Sequence, residues 1–171
     1  MKYVYCPICG EKLVPKRAGD DGDVPFCRSC DRYWFDSFAS CVIVLVYNEY
    51  DEIVLCRQPH LSGDHSSFTS GYITPGETAE ECAAREVKEE LGIELESLTY
   101  AGTVWFERGD MLMHGYVGYT PKCELVLSEE ISSAKWVPYD RAPETMYPDR
   151  PGNAMWVLYR KYLEISGKNE S

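Results

Sequence analysis

The stretch "GYITPGETAEECAAREVKEELGI", Gly71 to Ile93, decides how this chain is read. Thr78 followed three residues later by Glu81 is a capping-box signature. Gly92 sits where a helix normally stops, so the stretch predicts a helix from Thr78 to Leu91. At about 100° per residue, Ala79, Ala83, Val87 and Leu91 fall on one apolar arc. Glu86 and Glu90 lie at the edge of that arc, and Glu89 slightly further round. Glu86 and Glu90 are an i,i+4 pair of like charge, which destabilises an isolated helix. A bound divalent cation removes that repulsion, and hard Mg²⁺ or Mn²⁺ is the natural partner of clustered carboxylates. Taken alone, "EVKEE" also reads as an ordinary solvated acidic face.

The surrounding chain sets the frame. Its 171 residues suit one ordinary domain with a small extra module. A hydrophobic content of 44% and 13 tyrosines point to a folded protein with a sizeable core. The net charge of −11 favours solubility and disfavours broad non-specific binding to nucleic acid. The "MKYVYCPICG" region has no apolar stretch of the signal-peptide kind. The longest apolar run, "CVIVLVY" at 41–47, is too short to span a bilayer. A soluble, cytoplasmic protein with no membrane role is expected.

Four of the eight cysteines are paired by spacing: Cys6 and Cys9 in "CPICG", and Cys27 and Cys30 in "CRSC". Two C-x2-C pairs separated by 17 residues match a zinc-ribbon pattern, in which four thiolates hold Zn²⁺ tetrahedrally. Iron takes the same four ligands, so the pattern leaves both metals open. A site closed by four protein ligands supports folding rather than chemistry. Cys41, Cys56, Cys82 and Cys123 are expected to be reduced, core-type residues.

The expected organisation is a zinc ribbon over 1–36 and a second domain over 37–171. In the ribbon, "KYVYC" and "RYWFD" read as strand-like around a polar loop, "RAGDDGD". Ser37 to Ser40 reads as a connection. "CVIVLVYN" and "EIVLCRQ" read as strands joined at "NEYD", and "SSFTSGYI" as a further strand. "LTYAGTVWFE" and "MLMHGYVGYT" read as a strand pair around "RGD", followed by a short strand, "AKWVPY". A Pro-rich stretch then leads to a closing helix from Asn153 to about Ile165, and the tail "SGKNES" is expected to be disordered. Strands and helices mix without βαβ alternation, which predicts an α+β fold with a mixed sheet between helices.

Gly71, five residues, Glu77, seven residues, then Arg85-Glu86-Val87-Lys88-Glu89-Glu90-Leu91-Gly92-Ile93 resembles the signature of the Nudix hydrolases at every fixed position. The resemblance extends from about Ser40 to the last helix. It implies the Nudix α/β/α sandwich and metal-dependent cleavage of a pyrophosphate linkage in a nucleoside diphosphate joined to a group X. It further implies Glu86 and Glu90 as metal ligands, with Glu89 a ligand or an aid to the attacking water, and Arg85 orienting the carboxylates. Glu77 would fix the loop against Arg85. By the same resemblance the Gly71 carbonyl is a ligand, and a later loop supplies another glutamate, Glu130 in preference to Glu129. Glu89, Glu86 and Glu130 are all candidates for the general base.

A four-cysteine ribbon before such a domain resembles the NADH pyrophosphatase branch, as do "IVLCRQPH" before the signature and "PGNAMWVLYRKYLE" at the end. The resemblance implies that Tyr72 stacks on a ring, that Trp105 takes part in binding and that Ala154 lies near the nucleotide. The chain departs from the branch where S-Q-P-W-P-F is expected: it has "GTVWFE", with Thr103 and Val104 in place of Gln and Pro. That departure removes the mark of strict NADH preference. The expected substrates are NAD(H)-like dinucleotides or ADP-ribose, cleaved to AMP. A nucleotide-capped RNA end is a compatible partner, and a homodimer a compatible assembly. The competing readings are a nucleoside triphosphate pyrophosphohydrolase and a non-catalytic ribbon–Nudix nucleotide sensor that binds nucleic acid. The intact carboxylates favour the enzyme.

Overall fold

A run of seven apolar residues without polar alternation has no face to offer to water, and the strand it forms is covered on both sides. The computed structural model of the protein describes residues 3–59 and 65–168. The chain divides into two units between Phe38 and Ala39.

The first unit is a three-stranded antiparallel sheet of β1 (Val14–Arg17), β2 (Asp23–Cys27) and β3 (Arg32–Tyr33). The expected strand "KYVYC" contributes only an isolated bridge, Tyr5 with Lys12. The expected polar loop is the turn of the β1–β2 hairpin, where Gly19 and Gly22 have φ of +55° and +76°. The sequence hid β1 because "VPKR" has neither alternation nor strand propensity. Cross-strand packing compensates: the Lys16 ammonium lies 3.6 Å from the Phe26 ring centroid, a cation–π contact.

The second unit is built on β4 (Ala39–Tyr47), which begins inside the segment expected as a connection. β4 runs parallel to β8 (Met111–Tyr119), and β8 pairs antiparallel with β7 (Ser97–Phe106). On its other edge, β4 pairs first with β6 (Thr69–Tyr72) and near its end with β5 (Glu52–Arg57). β5 continues the sheet to β9 (Ser133–Pro138). β6 is shorter than expected, since Ser66 and Ser67 make only isolated bridges. The sheet is mixed, as the pattern of elements predicted.

Successive β4 side chains point to opposite faces. Val42, Val44 and Val46 pack toward α1 (Ala79–Leu91), and Ile43 and Leu45 toward α2 (Ala154–Ser166). α1 begins as its sequence predicts: Thr78 Oγ1 accepts from Glu81 N at 3.2 Å, and Glu81 Oε2 accepts from Thr78 N at 2.8 Å. α2 is capped by Asn153, whose Oδ1 accepts from Met155 N at 3.1 Å. Beyond α2, the Lys168 ammonium pairs with Asp51 at 2.8 Å and lies over the Tyr139 and Tyr162 rings, so the tail stays ordered to that point. Residues 169–171 of the expected disordered tail lie outside the described residues. Among the described residues, no helix is long and apolar enough to cross a membrane.

Burial also explains how α1 tolerates its acids. A fully buried Val or Leu is worth about 1.5–3 kcal/mol, whereas an i,i+4 like-charge pair costs about 0.2–0.5 kcal/mol. Val87 and Leu91 are both fully buried, so packing wins. Cys82 joins them on the buried face, which is wider than the expected arc. Cys41, Cys56 and Cys82 are buried and reduced as expected, but Cys123 is exposed, because it follows β8 in a polar loop.

That loop reaches back to the end of α1. Val126 N donates to Leu91 O at 2.9 Å, and Ser128 N to Glu90 O at 3.2 Å, which satisfies carbonyls that a helix terminus leaves free. Gly92 makes the close approach possible: its φ is +70°, and a Cβ there would lie 2.8 Å from Val126 Cβ. Gly92→Ala is therefore expected to cost at least about 1–2 kcal/mol from the left-handed backbone alone. Urea denaturation should show a lower midpoint at unchanged m.

Candidate active site

Arg85 is the hub of the acidic cluster. Its Nη1 donates to Glu86 Oε1 at 2.8 Å and to Glu89 Oε2 at 2.9 Å. Its Nε and Nη2 form a two-pronged pair with Glu77 at 3.0 and 2.8 Å. Nη2 also reaches the Tyr72 carbonyl at 3.3 Å, which ties the helix to β6. The Arg85 guanidinium holds the Glu77 carboxyl at about 2, well below the usual range, with the Thr74 backbone N–H adding to the effect. Glu77 in turn accepts from Thr74 N at 2.6 Å, so one carboxylate fixes both the loop before α1 and the guanidinium.

Gly71 and Glu86 meet directly. A Cβ on Gly71 would lie 2.0 Å from the Glu86 carboxyl carbon, so the carboxylate occupies the space that any other residue would fill. Gly71 faces α1 because its partner on β4 is Val42. Glu89 is on the open side, with 60% of its side chain exposed.

Glu90 departs from expectation. The helical wheel places it at the edge of the buried arc, but its residue exposure is only 3%. Its Oε1 accepts from Gln58 Nε2 at 3.3 Å, and its Oε2 is buried with no hydrogen-bond partner among the described residues. Burial, then the negative charge of Glu86, push the Glu90 carboxyl up to about 7. Glu86, Glu89 and Glu90 line a pocket of about 360 Å³ together with Ser128, Glu129 and Glu130. Glu129 and Glu130 are brought there by the loop pinned to the end of α1. These are hard oxygen donors from two segments lining one pocket, the donor type that Mg²⁺ or Mn²⁺ takes.

The other expected residues lie elsewhere. Tyr72 is 60% exposed and Trp105 44% exposed, but the sheet register puts them on opposite faces. Tyr72 pairs with Cys41, next to Met113 and Val104, on the α2 side. Trp105 pairs with Leu112 and, across it, with Ser40, on the α1 side. The two rings therefore cannot form one stacking clamp, a consequence of the period of two along a strand. Ala154, the first residue of α2, is buried in the apolar core. His60 of "IVLCRQPH" lies outside the described residues. Sequence reading placed Gln58 only within "IVLCRQPH" and gave it no role at the carboxylates; its amide is seen to face Glu90 only in the fold.

In the first unit, the sulfurs of Cys6, Cys9, Cys27 and Cys30 all lie within 4.8 Å of one another. Cys9 Sγ to Cys27 Sγ is 3.5 Å and Cys6 Sγ to Cys30 Sγ is 3.9 Å. A tetrahedron with Zn–S bonds of about 2.3 Å has edges of about 3.8 Å, so the cluster fits a tetrathiolate metal site. Hydrogen bonding from neighbouring thiols pushes Cys30 up to about 12. Burial opposes ionisation of Cys6, yet backbone N–H groups at Cys9 and Ile8 bring it down to about 6. Glu11 braces the second knuckle by accepting from Ser29 N at 2.9 Å.

Comparison with known proteins decides the lineage: residues 37–157 match the model of the NUDIX domain. The chain belongs to the NUDIX family. It is 32% identical over 158 residues to the NAD-capped RNA hydrolase NudC of Stutzerimonas stutzeri, covering 92% of this chain and 55% of that protein. The chain spans about half the length of the curated relatives it matches. Its fold is similar to a NUDIX hydrolase from Nitrosomonas europaea, with a TM-score of 0.67 at 15% identity over 98% of this chain and 94% of the other. It is also similar to the NUDIX domain of Shewanella oneidensis NrtR, crystallised with ADP ribose, with a TM-score of 0.66 at 14% identity over 82% and 94% of the two chains. As a NUDIX domain, the second unit accounts for the mixed sheet and for the signature helix beside β6.

The Glu90 environment has a measurable consequence without substrate. The folded state raises this carboxyl from 4.5 to about 7, so it holds the proton more tightly than the unfolded chain does. Its contribution is fully present below the unfolded value and is lost as pH rises through about 7. In buffer free of Mg²⁺ and Mn²⁺, Glu90→Gln is expected to raise the melting temperature relative to wild type, by more at pH 8 than at pH 5. The difference corresponds to a few kcal/mol at most, at about 1.4 kcal/mol per pKa unit. An equal effect at both pH values would exclude a buried ionising carboxylate at this position.

Proposed function

We propose that this NUDIX protein hydrolyses a pyrophosphate bond in a nucleoside diphosphate linked to a second group, and that its preferred substrates are adenine dinucleotide-type compounds cleaved to a nucleoside monophosphate. The observation that carries the reading is that Glu86, Glu89, Glu90 and Glu130 line one pocket, with a Glu90 oxygen that has no hydrogen-bond partner among the described residues. Glu86 and Glu90 would hold Mg²⁺ or Mn²⁺, with the Gly71 carbonyl, Glu89 and Glu130 completing the donor set. A bound divalent cation supplies charge neutralisation at the pyrophosphate and acidifies the attacking water. Arg85 keeps the Glu86 and Glu89 carboxylates aligned, and Glu77 keeps Arg85 in place. Of the candidates Glu89, Glu86 and Glu130, exposure at the pocket favours Glu89 or Glu130 to take the water proton while the phosphate–oxygen bond breaks.

Substrate class rests on the relatives, which are NAD-capped RNA hydrolases by name, and on "RQP" and "PGNA" in this sequence. A NAD-type cap on RNA offers the same pyrophosphate linkage as the free dinucleotide. Tyr72 is an exposed aromatic on the α2 side of the sheet, and a single stacking ring accepts reduced and oxidised nicotinamide alike. The test is kcat/KM with Mg²⁺ or Mn²⁺ on NADH, NAD⁺, ADP-ribose, NAD-capped RNA and nucleoside triphosphates, with products identified by mass. Every ADP-X compound is expected to yield AMP, capped RNA a 5′-monophosphate end, and NADH no strict preference. A triphosphate that exceeds all of them tenfold, about 1.4 kcal/mol in transition-state binding, would overturn the substrate class.

We also propose that residues 1–36 form a structural zinc ribbon. The closed set of four thiolates leaves no position for water or substrate, so the metal serves folding. One zinc per chain is expected by elemental analysis of protein prepared without chelators. Cys9→Ser should lose that zinc and the fold of the first unit while Mn²⁺ binding by the second unit persists. Iron in place of zinc would reassign the metal, and neither metal would refute the site.

A further inference from the structure

The Glu90 carboxylate is asymmetric. One oxygen meets the Gln58 amide at 3.3 Å, and the other has no hydrogen-bond partner among the described residues, the Thr69 hydroxyl being the next polar group to act on this carboxyl. Gln58 follows directly on β5, and it extends the alternation of Val54 and Cys56, whose side chains face α1. A small polar floor lies beside it: Cys56 Sγ is 3.8 Å from Thr69 Oγ1, and both residues are almost fully buried. The terminal torsion of a glutamate is broad, so an unrestrained carboxylate turns freely about its last bond. A carboxylate accepts only, and an amide –NH₂ against one oxygen fixes the plane of the group.

We propose that Gln58 is a positioning residue for Glu90: its amide engages Oε1, sets the carboxylate plane and leaves Oε2 as the oxygen presented to a divalent cation. This rests on the reading of Glu90 as a metal ligand given above. Partners of this kind orient metal ligands, and their loss commonly weakens metal affinity by about 10–100-fold. Arg85 cannot take over the task, because its N–H groups are committed to Glu77, Glu86 and Glu89 on the outer side of the helix.

The test measures Mn²⁺ binding to the full chain without substrate, from the electron paramagnetic resonance of free Mn²⁺, with zinc present in all samples. Gln58→Met keeps the reach of the side chain and removes the donor. Gln58→Asn keeps the amide on a shorter arm that does not reach Glu90. Both variants are expected to raise the Mn²⁺ Kd about tenfold or more, and the Mn²⁺ concentration for half-maximal hydrolysis by a similar factor. The melting temperature without Mn²⁺ is expected to stay within about 3 °C of wild type. Should Gln58→Met fail to fold, Gln58→Asn carries the same measurement. Glu90→Gln is the control that separates the two levels of the argument. If it weakens Mn²⁺ binding and both Gln58 variants bind as wild type does, the role of Gln58 is overturned and the metal site stands. If Glu90→Gln also binds as wild type does, the metal site and the inference fall together.

Discussion

A carboxylate buried to 3% exposure, with one oxygen that has no partner among the described residues, is a constraint that the packing of the second unit has to hold in place. Left to itself such a group takes up a proton, and burial beside Glu86 pushes it toward that state. Glu90 is nevertheless held there by the position of its helix. Val87 and Leu91, one turn and one residue away, are locked into the core that β4 shares with α1. The apolar face fixes the rotation of α1, and the rotation places Glu90 inside and Glu89 outside. The depth of this carboxyl is a by-product of core packing, and the stability lost at one carboxyl is small beside the burial of several aliphatic side chains.

The other acids are arranged by shape and by one cation. Gly71 contributes a missing side chain, since a methyl group on β6 would collide with Glu86. Arg85 contributes a planar fork with several donors, which a lysine could not reproduce with the same geometry. It joins the loop carboxylate of Glu77, the helix carboxylates of Glu86 and Glu89, and the Tyr72 carbonyl. The guanidinium thus connects β6, the loop and α1. The last acids arrive by a different route, through a loop whose backbone completes the carbonyl end of α1 and so presents Glu129 and Glu130 to the same pocket.

The first unit follows a different logic. Its three short strands bury little, and β1 is held partly by a lysine lying over a phenylalanine ring. A sheet of this size does not supply a core large enough to fold unaided. The four sulfurs at near-tetrahedral separations are its natural organising centre.

The sequence by itself determined the elements whose causes are local. The capping box at Thr78 and Glu81, the glycine stop at Gly92, the apolar strand at 41–47 and the two knuckles of cysteines each depend on residues a few positions apart. The acids of the signature were legible for the same reason, as was the salt link from Arg85 to Glu89 one turn on. Tertiary structure decided what depends on distant pairing. The depth of Glu90 follows from which core α1 packs against, and the partner Gln58 lies 32 residues away, just past the end of β5. The separation of Tyr72 and Trp105 onto opposite faces is a matter of strand register, and a period of two turns every one-residue choice into a change of side. The burial of Ala154 follows from how α2 lies on the sheet. Spacing along a helix or a turn is fixed by covalent geometry, whereas registers and burial depths are fixed only when the whole apolar surface finds its partner.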